Sequence, residues 1–167
     1  MVVLRCTQRL LTRLKQVDDP PPVESTTRLG DWYGNIVRLG RRQVLMFISE
    51  RSRLPVLIPI REASRLQSAF PDAACRMLSA VGLSAGDIEE ERSRMSVITY
   101  GRTRSRSHLG TLNDFSWGAH LYFTKEPDVP LDKIARWLAN TPIMPLKGAC
   151  PVDLTRALFS GDRPSLD

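Results

Sequence analysis

The sequence lacks any apolar run approaching the ~20 residues that a membrane-spanning helix needs, so no transmembrane segment is expected. Its three cysteines, Cys6, Cys75 and Cys150, are odd in number, far apart and without zinc-ligand or redox spacing. They exclude a disulfide framework and read as buried thiols in a reducing compartment. The two histidines, His108 and His120, lie about 120° apart around a helix axis, so they share no face, and no metal site is expected. There is no Walker loop, dinucleotide fingerprint or nucleophile elbow, and no cofactor is expected. Internal repeats, heptads and low-complexity tracts are absent as well. The opening MVVLRCTQRLL is interrupted by Arg5 and Arg9 and has no signal-peptide core, which places the chain in the cytoplasm as an expectation.

What is present is the composition of a globular protein: 167 residues, 42% apolar and 25% charged. That length fits one domain over residues 1–160, with 161–167 a frayed tail. Lysine is scarce, 4 against 20 arginines, and the net charge is +6. The excess is uneven. Residues 1–60 hold 10 basic against 5 acidic residues and residues 101–125 hold 4 against 1, while the rest is close to balance. Clustered arginine attracts phosphate and pairs with it bidentately, so nucleic acid is a candidate partner.

Val2-Val3-Leu4 reads as a strand. Thr7 reads as the cap of a helix carrying Leu10, Leu11, Leu14 and Val17, and residues 18–22 read as an extended proline connector. Residues 31–60 are the clearest β region. A strand over 32–38 turns at Gly40 into an apolar run over 44–48, which suggests burial on both faces. A strand over 54–58 follows, with Pro55 expected at its start or on an edge, and the short connections predict an antiparallel meander. In the first of these strands Trp32 and Tyr33 point to opposite faces, so a core Trp and an exposed Tyr are expected. Residues 61–95 read as helices broken at Pro71, stopped at Gly82 and restarted by the Ser84 cap. A strand over 97–100 follows. Residues 107–124 read as a helix capped by Ser107, with a strand over 117–123 as the alternative. Helices over 131–139 and from Pro151 to a stop at Gly161 complete the chain. The expected fold is α+β, an antiparallel or mixed sheet with helices packed mainly on one side.

The most distinctive stretch runs from Gly101 to Phe115. Arg102, Arg104 and Arg106 alternate, so an extended chain points them one way, and no acidic residue stands between Glu91 and Asp114. With Ser107 opening a helix, the segment is a candidate anion or nucleic-acid site. Arg28 joins it, because it precedes Trp32-Tyr33-Gly34-Asn35 and aromatics beside arginine can stack bases. Asn113 and Asp114 are expected as a buried polar pair that anchors backbone groups, a structural role rather than a catalytic one.

The pattern Arg106-Ser107-x-Leu109-Gly110-x-x-Asn113-Asp114-Phe115 resembles the signature of an uncharacterised family of small bacterial proteins, a domain of unknown function. The opening Leu4-Arg5-Cys6-Thr7-Gln8-x-Leu10-Leu11 resembles it too. So does Thr26-Thr27-Arg28-Leu29-Gly30-Asp31-Trp32-Tyr33-Gly34-Asn35 followed by paired strands. The family favours Asn between the arginines and Met at position 112, and Arg104-Ser105 and Leu112 depart from that. The resemblance implies a bacterial or mobile-element origin and an α+β domain, and no activity. Two function classes follow from the residues. One is a small basic module that contacts nucleic acid or another phosphate-bearing ligand through the arginine segment, with a metal-independent, toxin-type nuclease as its enzymatic form. The other is a non-catalytic homodimer whose arginines serve protein contacts.

Overall fold

The computed structural model describes residues 1–17 and 23–161. β1 (Val2–Cys6) and α1 (Gln8–Leu14) lead into the meander of β2 (Trp32–Leu39), β3 (Arg42–Ser49) and β4 (Pro55–Pro59). A short 3-10 helix (Ile60–Arg65) passes into α2 (Leu66–Ala80) and α3 (Ala85–Arg94), then β5 (Ile98–Arg102). α4 (Arg106–Lys125), α5 (Leu131–Ala139), a 3-10 turn (Met144–Leu146) and α6 (Pro151–Ser160) follow. The sheet is mixed, in the order β4-β3-β2-β1-β5. β2–β3 and β3–β4 are antiparallel, whereas β1 pairs in parallel with both β2 and β5. The α+β class, the mixed sheet and the meander are therefore as expected. Pro55 is the first residue of edge strand β4, where its missing N–H costs no essential ladder bond.

The two faces of the sheet carry different helices. Trp32 meets the Phe70 ring of α2 edge-on at 5.2 Å, and Phe47 meets it at 5.3 Å. Gly34, on the same side of β2, lets the backbone approach Phe47 and Leu10 of α1. Tyr33 points the opposite way and stacks on His108 of α4 at 4.1 Å. Helices thus lie on both faces, α1 and α2 on one and α4 on the other, and Tyr33 is buried like Trp32 instead of exposed. α5 packs against β4, α2 and α4 and so closes the β4 edge.

Local signals explain most boundaries. Thr7 caps α1 by accepting from the Leu10 amide, and Ser84 caps α3 by accepting from that of Asp87. α1 is shorter than its apolar spacing suggested: Lys15 turns into the left-handed region, and Val17 is left 90% exposed. Pro71 does not break the chain into two helices. It lies inside α2 and forfeits the bond from position 71 to the carbonyl of Gln67, while the burial of Phe70, Ala74, Met77 and Leu78 carries the helix through. α4 is helical throughout, including 117–123, and its cap is Ser105, not Ser107. The connector expected over 18–22, and the tail past Gly161, lie outside the described residues. Among the described residues no helix is long and apolar enough to cross a membrane. Cys6, Cys75 and Cys150 carry free thiols, the first two buried.

Candidate functional site

The strand register sets Gly101, Arg5 and Tyr33 side by side on β5, β1 and β2, facing the α4 side of the sheet. Gly101 leaves room for its neighbour: a Cβ there would lie 2.7 Å from Nη1 of Arg5. Arg5 is only 5% exposed. Its Nε donates to Oδ2 of the buried Asp31 at 2.9 Å, and Oδ1 of Asp31 accepts from the Ser25 amide at 3.2 Å and hydroxyl at 2.7 Å. Asp31 is fixed further by its backbone: its amide donates to Oε2 of Glu50 at 3.1 Å, and its carbonyl accepts from the Glu50 amide at 2.7 Å. The carboxylate therefore holds Arg5 by one edge. Neither Nη nitrogen of Arg5 makes a hydrogen bond among the described residues.

The segment between β5 and α4 roofs this row. Thr103 still donates its amide to the Cys6 carbonyl at 3.2 Å. Arg104 then brings Nη2 to 3.6 Å from Oδ2 of Asp31, so an acid 73 positions earlier in the chain reaches the arginine segment. Burial pushes the Tyr33 phenol up, and the neighbouring Arg104 guanidinium partly offsets this. Ser105 caps α4, accepting from the His108 amide at 3.4 Å. The His108 ring bridges two elements. A carbonyl only accepts, so Nε2 donates to the Glu50 carbonyl at 3.0 Å; Nδ1 of the neutral ring then accepts from the Ser105 hydroxyl at 2.6 Å. Burial, with the Arg53 charge nearby, holds His108 down to about 4.

Arg53 completes the wall. It is 7% exposed and sits in the left-handed region at φ 60° in the turn between β3 and β4. Its Nη1 donates to the Glu50 carbonyl and its Nη2 to the Ser107 hydroxyl, each at 3.1 Å, while Nε has no partner. Three guanidinium groups thus gather around Asp31 and Glu50, with Arg5 and Arg104 at the Asp31 carboxylate and Arg53 at the Glu50 backbone carbonyl. Exposed Arg102 and Arg106 add to the excess. The arrangement suits an anion.

The fold brings together only part of the set read from the sequence. Arg104 and Ser107 belong to this cluster, with Arg102 and Arg106 flanking it on the surface. Arg28 does not join it. That side chain pairs with Glu90 at 3.3 Å, donates to the Phe159 carbonyl at 3.4 Å and lies over the Phe159 ring at 5.2 Å. Asn113 and Asp114 are exposed and their side chains make no hydrogen bond among the described residues, so they are not a buried anchor. The reason is helical phase: His108, Thr111, Leu112, Phe115 and Ala119 take the inner face of α4 and leave 113 and 114 outside. Arg5, Asp31, Tyr33, Arg53 and Gly101 were not foreseen as site residues. The signal for two of them was modest: a charge between Leu4 and Cys6 in an apolar strand, and a glycine inside another strand.

Comparison with protein families matches residues 3–154 to the domain of unknown function DUF6933, and the chain belongs to that family. No curated protein and no solved structure matches it.

Proposed function

We propose that this member of DUF6933 binds single-stranded nucleic acid, with Arg102, Arg104 and Arg106 on the phosphates and the outer face of α4 beneath the bases. The observation that carries the reading is the alignment of Arg106 and Trp117. Eleven residues of α4 separate them, so they share one face, about 16 Å apart at 1.5 Å per residue. Trp117 is 65% exposed, and Asn113 stands between the two on the same line. An exposed indole on the helix face that begins at Arg106 offers a stacking platform of about 1–3 kcal/mol per base, tolerant of sequence. The first-turn amides of α4 favour anions at the same end.

The test is anisotropy titration of labelled single strands across salt. Replacing Arg102, Arg104 and Arg106 together by Ala should weaken binding and flatten its salt slope. Trp117→Ala should weaken binding while leaving the slope close to that of the parent, because stacking releases no counterions. Strand cleavage without added metal would reveal the nuclease form. Absence of binding to RNA or DNA at about 50 mM salt, where phosphate contacts are strong, defeats the reading. If the protein then sediments as a dimer, the arginines belong to a protein interface instead.

A further inference from the structure

We infer that Arg5 and Arg104, with the Tyr33 hydroxyl, form a site for a single phosphate monoester, so that the protein recognises the phosphorylated end of a strand. This deepens the strand-binding reading and rests on it.

The argument starts from how Arg5 is held. A guanidinium has five N–H donors, and here Asp31 takes only the one on Nε. Nη1 and Nη2 keep their N–H groups for a further acceptor. They are not sealed: the enclosed nitrogens without partners among the described residues are Trp32 Nε1 and Arg53 Nε. The donors of Arg5 therefore open on solvent, but through a narrow gap, since the residue is 5% exposed. The Tyr33 hydroxyl, on the adjacent strand in the same row, accepts from the Arg104 side chain and keeps its own O–H to donate to a ligand. Arg104 stands over both, only 3.6 Å from Asp31 and 51% exposed at its side chain, so its guanidinium can turn toward a ligand.

The shape selects the ligand. Two parallel N–H donors match two oxygens of a phosphate in the fork geometry that favours arginine over lysine. An internal phosphodiester has a substituent on each side and cannot sink into a narrow gap between β1, β2 and the 103–105 segment. A monoester presents three acceptor oxygens on one side and carries about −1.5 to −2 charge at neutral pH. It can reach Arg5 while its single substituent leads outward past Arg104 toward Arg106 and α4. Gly101 is the structural requirement, because a side chain there would crowd Nη1.

The experiment compares one ten-nucleotide sequence in three forms, with a 5′-phosphate, a 3′-phosphate or no terminal phosphate, by anisotropy on the full chain. Inorganic phosphate and a nucleoside monophosphate serve as competitors. At least tenfold tighter binding of one phosphorylated form is expected, with inorganic phosphate competing that gain away. Gly101→Ala and Tyr33→Phe should each reduce the gain. Tyr33→Phe leaves the Arg5–Asp31 pair in place, Gly101→Ala displaces Nη1 while keeping both partners, and circular dichroism checks that each is folded. Equal binding of all three strands overturns the monoester site and leaves the strand reading standing. If no strand binds but inorganic phosphate shifts the Arg5 side-chain resonances, the site stands and the strand reading falls. If neither binds, both fall.

Discussion

His108 shows how a neighbourhood sets a protonation state. Its ring is stacked on Tyr33, both nitrogens are committed to neutral partners, and Arg53 adds a like charge. The value of about 4 lies below the ordinary 6.5, so the fold favours the uncharged form. Such a group contributes stability that is fully present above pH 6.5 and is lost as pH falls through about 4. The full difference is on the order of 3 kcal/mol. Urea midpoints should therefore drop from pH 7 to pH 4.5 in the parent by more than in His108→Gln, which keeps a donor for the Glu50 carbonyl. Equal drops would show that the ring titrates freely. Arg5 teaches the complementary lesson. Read along the chain, it is one arginine interrupting an apolar opening. Its partner is 26 positions away and its space is made by a glycine 96 positions away, so no local pattern could join them.

Among the elements, α3 acts on the site from a distance. Glu91 is buried, and its carboxylate accepts the backbone amides of Arg28 at 3.0 Å and Leu29 at 3.3 Å. This fixes the turn that delivers Asp31 two residues later. Burial pushes the Glu91 carboxyl up, opposed by those two amides and by Arg94 and Arg28. Glu91→Ala orphans two amides and should cost about 1–3 kcal/mol for each that stays dry. Glu91→Gln retains an acceptor and should cost less, without the pH dependence of the acid. Equal midpoints for the two variants would show that the amides find water. Element boundaries were legible where a cap or a glycine marks them, as at Thr7, Ser84 and Gly161. They were misread where two signals compete. Ser105 and Ser107 both suit a cap, and Ser107 is instead engaged by Arg53 from another element. Pro71 suits a break, but the apolar face on both sides of it outweighs one lost bond.

At the scale of the whole molecule, the apolar run of β3 already announced the layering. Val44 to Ile48 are all buried, which requires cover on both faces. The structure supplies that cover: α1 and α2 lie over Trp32 and Phe47, and α4 lies over Tyr33. The two helical layers touch a common sheet, and α5 joins them across the β4 edge. They should then unfold together. Phe70 is fully buried between Trp32 and Phe47, and Phe70→Ala should cost about 3–5 kcal/mol through the cavity it leaves. Native-state hydrogen exchange can show where that loss is felt. If the chain is one cooperative unit, the slowest amides of α4, on the opposite face, lose as much protection as those of α2, and those of β3 lose it equally. If α4 keeps its protection while α2 loses it, the face bearing Arg5, Tyr33 and His108 holds together without the other layer, and the binding site rests on half of the fold.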